Sequence, residues 1–203
     1  MTDKLRKAIP AWMRDDDRAL AHIKRYFNTD SYVRETPWDP ESSGEEIDEQ
    51  ALWDDVSEYV SFAQYAAYEN EPIELYRALE LEVKHGKLLL NVGCLGKAWS
   101  RYRSGAGVYG IVPHERGKKE TAKIVIAAMV TPKDVDWEYG LQSFLYYGQD
   151  QWEISVKQNK KVLLVEVDGR RLEPSVRANT GPATESWVNE KRCVAGPYLE
   201  WPR

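Results

Sequence analysis

Residues 123–130 read Lys-Ile-Val-Ile-Ala-Ala-Met-Val, an apolar run of β-branched and small side chains with no glycine or proline inside it. Such a run is too short for a bilayer and carries no helical stripe, so it predicts a strand covered on both faces. Working outward, residues 161–167 (Lys-Val-Leu-Leu-Val-Glu-Val) predict a second strand. Residues 151–156 alternate, with Trp152, Ile154 and Val156 on one face and Gln151, Glu153 and Ser155 on a polar one. Asn159-Lys160 is expected to close a hairpin between these two segments. Upstream, Ile73, Leu75, Ala78 and Leu79, then Leu88, Leu89, Leu90 and Val92, predict two strands parted by the turn residues His85-Gly86.

The N-terminal third has a different period. Asp15, Asp16 and Asp17 stand where a helix start favours negative charge, and Leu20, Ile23 and Phe27 follow as its expected apolar face. Pro37, Pro40, Ser42, Ser43 and Gly44 mark residues 36–46 as a linker. Leu52, Val56, Tyr59, Val60, Ala63, Ala66 and Ala67 then recur at three and four, one stripe of a longer helix ended by Asn70 and Pro72. The last residues hold Pro174, Pro182, Pro197 and Pro202 and are expected to form an irregular tail held by Trp187 and Trp201. The fold class is α+β: an N-terminal helical region (1–72), a mostly antiparallel β core (73–168) and a tail packed on it (169–203).

The 203 residues carry 28 Lys+Arg against 33 Asp+Glu, a net charge of −5 that disfavours a coat for gripping nucleic-acid phosphates. Eight Trp and 12 Tyr against three Phe point to amphipathic rings at a pocket or an interaction surface. His22, His85 and His114 are scattered, and no Cys/His cluster offers metal-ligand spacing, so no metal is expected. Cys94 and Cys193 make no disulfide framework and are expected to be ordinary thiols. The opening residues run into charge with no apolar signal segment, which predicts a soluble chain of the cytoplasm, without membrane partners.

Several residues of the β core could carry chemistry. Gln151 and Glu153 share one strand face, although a Gln-x-Glu triplet alone is usually a solvated face. Arg77 sits between Leu75 and Leu79 and needs an anion, which Glu80 or Glu82 could supply as readily as a ligand. Gly96-Lys97-Ala98-Trp99-Ser100 leads into Ala106-Gly107-Val108-Tyr109, and Phe144-Leu145-Tyr146-Tyr147-Gly148 suggests an aromatic turn before Gln151. Ser100 could equally cap the segment that follows, and Tyr109 and Tyr147 could be half-buried core rings. Ser104-Gly105-Ala106-Gly107 is not a dinucleotide fingerprint.

Taken in order, Arg77, Trp99-Ser100, Ala106-x-x-Tyr109, the aromatic stretch and Gln151-x-Glu153 resemble the mono-ADP-ribosyltransferase superfamily, in its Arg–Ser–Glu branch of clostridial-type toxins and phage and bacterial effectors. The resemblance spans about residues 73–168 and implies a two-sheet core that takes NAD as substrate. Glu153 would hold the ribose 2′-hydroxyl and stabilise the oxocarbenium-like transition state, as a carboxylate does in glycoside hydrolysis. Ser100 would orient Glu153, Arg77 would grip the pyrophosphate, and Tyr109, with Trp99 as second choice, would stack on nicotinamide. Gln151 would contact the acceptor. This chain has Ala98-Trp99-Ser100 where the family usually has Ser-Thr-Ser, and Gln151 where arginine-modifying members have glutamate. A partner protein modified at a residue other than arginine is therefore the expected acceptor, ahead of a nucleic acid. The alternatives are an NAD glycohydrolase and a non-catalytic inhibitor or binding protein on the same fold.

Overall fold

In a computed structural model, which describes residues 8–26, 33–34, 45–46, 49–108, 121–147, 152–181 and 197–202, the apolar run becomes the middle of the sheet. Strand β6 (Thr121–Val130) pairs antiparallel with β3 (Ile73–Lys84) on one edge and β8 (Lys161–Val167) on the other. With both edges paired and both faces covered, Ile124, Ile126, Ala127, Ala128 and Val130 are all buried. The sheet continues through β4 (Lys87–Asn91), β9 (Arg170–Asn179) and β10 (Tyr198–Pro202), in the order β10-β4-β3-β6-β8-β9. His85 and Gly86 both take positive φ (51° and 73°), the geometry of a tight turn matched to strand twist, and Asp168 and Gly169 do the same between β8 and β9.

A second, smaller layer hangs on β3. Strand β5 (Ala98–Ser100) pairs with β3 at Tyr76↔Ser100, and β7 (Glu153–Ser155) pairs with β5. A separate two-residue ladder joins β1 (Val33–Arg34) to β2 (Glu45–Glu46), so the linker expected at 36–46 ends in a strand, and its residues 36–44 lie outside the described ones.

Helix α1 (Asp16–Tyr26) starts where the aspartates predict, with Asp15 Oδ1 accepting from Arg18 N at 2.8 Å as a cap. Of its expected stripe, Leu20 is 39% exposed while its neighbour Ala19 is buried, and Phe27 lies outside the described residues. Helix α2 (Glu49–Glu69) buries Val56, Tyr59, Val60, Ala63, Ala66 and Ala67 as its period requires.

Five expectations are corrected. The expected order of helices followed by strands is broken by α3 (Arg103–Val108) and α4 (Trp137–Tyr147), both inside the β core. The aromatic turn is the end of α4, which buries Trp137, Leu141 and Phe144 at i, i+4 and i+7 and is capped by Asp136, whose Oδ1 accepts from Tyr139 N at 3.3 Å. The described parts of the tail are not irregular, since β9 and β10 are its strands, while Pro182 and Trp187 lie outside the described residues; Pro174 and Pro202 fit because these are the two edge strands, whose outer N–H groups need no partner. Asn159 does turn the chain at φ 53°, but β7 and β8 form no hairpin, because β7 pairs with β5 while β8 pairs with β6 and β9. Finally, Cys94 is disulfide-bonded rather than a free thiol. The sequence holds one other cysteine, Cys193, which lies outside the described residues.

Candidate functional site

Strand register collects the site. Ser100 stands directly opposite Glu153 in the β5–β7 ladder and directly opposite Tyr76 in the β5–β3 pair. The same row runs on through Tyr76↔Ala127, Ala127↔Glu166 and Glu166↔Arg171. Residues directly opposite each other project from the same face, so Glu153, Ser100 and Tyr76 form one line across three strands.

The face that alternation marked as polar is not solvated. Glu153 is 8% exposed and Ser100 4%, and Ser155 is buried beside them. Helix α4 provides the cover and Ser143 on it hydrogen-bonds the Glu153 carboxyl. Burial raises the Glu153 pKa above the usual carboxylate range, while Ser143, the Arg77 guanidinium and the Lys97 ammonium pull it back without cancelling the rise. Lys97 is itself held over the Tyr139 ring, its Nζ 3.9 Å from the centroid.

Arg77 reaches this neighbourhood from β3. Its Nη1 donates to the carbonyl of Ala98, and the guanidinium lies against Gly96, where a Cβ would stand 2.8 Å from Cζ. Gly96 is left-handed (φ 81°), so both conformation and space call for glycine there. Glu80, one of the two anions considered for Arg77, accepts instead from the Thr121 hydroxyl at 2.5 Å.

Ser100 Oγ accepts from Tyr102 N at 3.1 Å, which turns the chain just ahead of α3. Arg101 packs its guanidinium among Phe62, Trp152 and Tyr102, with Cζ 4.1, 4.6 and 5.1 Å from the ring centroids. Its N–H donates to the Trp152 carbonyl at 3.0 Å, so the segments holding Ser100 and Glu153 are clamped together at this end. Trp152 has φ 39°, an unusual conformation for a bulky residue, immediately before Glu153. At the far end of the row Glu166 is buried beneath Arg103, and Arg171 forks onto Glu74.

Of the residues expected to act, Ser100 and Glu153 are brought together on one face, whereas Arg77, next to Tyr76 on β3, alternates off that row and acts on the Glu153 carboxyl electrostatically. Trp99 is not part of their face: it is 2% exposed, alternates to the opposite side of β5 from Ser100, and donates its indole N–H to the Gly96 carbonyl at 3.0 Å. Tyr109 and Gln151 lie outside the described residues. Tyr147 falls within α4.

Sequence reasoning missed Ser143, Lys97 and Tyr59. The Tyr59 hydroxyl is fully buried, has no hydrogen-bond partner in the structure, and has its pKa driven up by burial and then by the charges of Glu153 and Asp136. A helical reading of 137–147 starting at the Asp136 cap was the signal available for Ser143, since Asp136, Gly140 and Ser143 then share one face. Among the described residues no group of three or more His, Cys, Asp or Glu side chains could hold a metal ion, and no helix is long and apolar enough to cross a membrane.

Such a site can orient a carboxylate in a low-dielectric setting, accept a hydrogen bond from a substrate hydroxyl and stabilise a nearby positive charge. Comparison with family models, curated proteins and solved structures finds no match for this chain.

Proposed function

We propose that this chain is an NAD-dependent mono-ADP-ribosyltransferase that transfers ADP-ribose to a partner protein, of the phage or bacterial effector type and with an acceptor other than arginine. The observation that carries this reading is the cross-strand apposition of Ser100 and Glu153, with the Arg77 guanidinium acting electrostatically on the same carboxyl. In the proposed reaction the bond from ribose C1′ to the nicotinamide nitrogen breaks, and its electron pair leaves with the ring. The Glu153 carboxylate accepts a hydrogen bond from the ribose 2′-hydroxyl and faces the positive charge growing at C1′. Arg77 offers a planar fork of donors that can serve a backbone carbonyl and a phosphate oxygen together. The acceptor nucleophile then bonds C1′ and releases its proton.

A second reading, NAD glycohydrolysis, is favoured by the 8% exposure of Glu153, which suits a small acceptor such as water. One experiment separates the two. The protein is incubated with NAD labelled in the adenosine moiety and with a cell lysate, and both nicotinamide release and protein-bound label are followed. Label on a protein band that is lost in Glu153→Gln supports transfer; nicotinamide release without bound label supports hydrolysis. Absence of NAD turnover by the wild-type protein overturns both.

A further inference from the structure

We propose that Ser143 is a positioning residue for Glu153, and that α4 is the element that orients this carboxyl from above the β5–β7 ladder. The inference rests on the catalytic reading of Glu153 given above. Its structural basis is the way α4 is seated on β7.

Three residues of one helix face make that seat. Asp136, at the helix cap, donates its backbone N–H to the Ser155 carbonyl at 2.7 Å. Gly140, one turn on, has no side chain to hold the helix away, and a Cβ there would stand 3.3 Å from Ser155 N and 2.2 Å from the Tyr59 hydroxyl. Ser143, nearly one turn further, then comes over Glu153 and hydrogen-bonds it, with both residues buried. The spacing 136, 140, 143 keeps all three on the strand-facing side of the helix. A short side chain such as serine can reach the carboxyl because the glycine lets the two backbones approach.

The helix is also fixed against rotation. Trp137 donates its indole N–H to the Pro132 carbonyl at 3.0 Å, and Phe144 packs at 4.9 Å between centroids from Trp152, the residue before Glu153. Ser143 therefore meets Glu153 in a geometry set before any ligand arrives, which is the condition for a positioned group to be effective. Ser100 stands opposite Glu153 on the neighbouring strand, while Ser143 hydrogen-bonds the carboxyl from α4.

The groups acting on Glu153 are Ser143 on α4, Arg77 on β3 and Lys97 ahead of β5, and Glu153 in turn, with Asp136 at the α4 cap, raises the pKa of Tyr59 on α2. Ser143 favours the ionised form of Glu153, so removing its hydroxyl moves the titration of that carboxyl to higher pH.

The test compares Ser143→Ala with Ser143→Thr, which retains a hydroxyl, after circular dichroism confirms folding of each. Ser143→Ala is expected to lower kcat by about 10-fold to 100-fold, the range for a lost hydrogen bond to a charged group, with little change in the KM for NAD. Its acidic limb in kcat against pH should move to higher pH, and Ser143→Thr should restore both. Wild-type kcat and an unmoved acidic limb in Ser143→Ala overturn the proposal. The Glu153 carboxyl is also titrated by carbon-13 NMR in wild type and Ser143→Ala, a readout that needs no turnover. An upward shift in the variant supports the contact even if the protein is inert toward NAD, whereas an unchanged titration overturns it.

Discussion

Ser100 and Glu153 face each other across the β5–β7 ladder although 52 positions separate them in the chain, and both are buried. Neither strand is long: three residues each, held at one end by Arg101 N–H on the Trp152 carbonyl and at the other by Val156 N–H on the Lys97 carbonyl at 2.8 Å. A pair held this way keeps its register without support from a long ladder. The carboxyl is thereby presented next to a hydroxyl on one strand and another on α4, with Arg77 and Lys97 near enough to favour its ionised form.

Replacing Glu153 by Gln tests both chemistry and stability. NAD turnover should fall by about 100-fold or more, because a neutral amide does not balance a cationic transition state. The stability effect has the opposite sign. The folded-state pKa of Glu153 is raised by burial, so between the unfolded value and that raised value the folded state binds the extra proton. Wild-type stability contributed by this group is then present at low pH and is lost as pH rises through the folded pKa. Glu153→Gln should be the more stable protein at neutral pH, with the difference shrinking as pH is lowered toward about 4. Thermal denaturation of both proteins across that range checks it.

Arg77→Ala should weaken NAD binding by about 10-fold to 100-fold, the scale for losing a charge-assisted contact. It should also move Glu153 further up, because Arg77 is one of the groups that hold its pKa down. Gly96→Ala should mimic part of this loss without touching the arginine, since a Cβ there meets the guanidinium at 2.8 Å in a left-handed conformation. Its expected cost is about 1–3 kcal/mol of stability. Isothermal titration with NAD and urea denaturation give the two readouts; wild-type affinity in Arg77→Ala would remove the pyrophosphate assignment.

Residues with a single period were legible in the sequence, and residues whose meaning depends on contacts between elements were not. The continuous run in β6 and the stripe of α2 repeat one physical signal over many residues, and both elements lie where that signal puts them. The segment 137–147 is rich in Trp, Tyr and Phe, types that favour strands, so its helix depends on the Asp136 cap and on packing against β7 and α2. Glu153 and Ser155 alternate as a solvated face would, yet both are buried, with α4 packed on β7. Trp152 was expected within a strand from 151 to 156; its left-handed conformation shortens β7 to three residues. Arg77, Ser100 and Glu153 were singled out by order along the chain. Ser143 was not, because its significance lies in a helix-to-strand contact.

Tyr59 and Gly140 provide a double-mutant cycle. The Tyr59 hydroxyl is buried without a hydrogen-bond partner, so Tyr59→Phe should stabilise the protein by about 1 kcal/mol. Gly140→Ala gains helix propensity yet places a methyl 2.2 Å from that hydroxyl, and overpacking of this kind should dominate, at about 1–3 kcal/mol. In the double variant the clash is relieved, so the two effects should fail to add by about 1 kcal/mol or more. Strict additivity in chemical denaturation would show that the helix seats elsewhere.

Reduction tests the Cys94 disulfide and, with it, the expectation of ordinary thiols. Cys94 lies in the crossing between β4 and β5, where Leu95 and Gly96 N–H donate to the Asn179 and Thr180 carbonyls at 2.8 and 2.9 Å. Gly181, left-handed at φ 84°, sits close enough that a Cβ would stand 2.5 Å from Cys94 Sγ. The bond therefore anchors the segment that leads directly to Ala98, Trp99 and Ser100. A long loop closed by a disulfide contributes about 2–5 kcal/mol, chiefly by restricting the unfolded chain in the entropic account. Treatment with a phosphine reductant, or Cys94→Ser, should lower the denaturation midpoint accordingly, and free-thiol mass labelling should count two reactive cysteines only after reduction. If the untreated protein already labels at both cysteines, the disulfide is absent in solution and the crossing is held by its backbone hydrogen bonds alone.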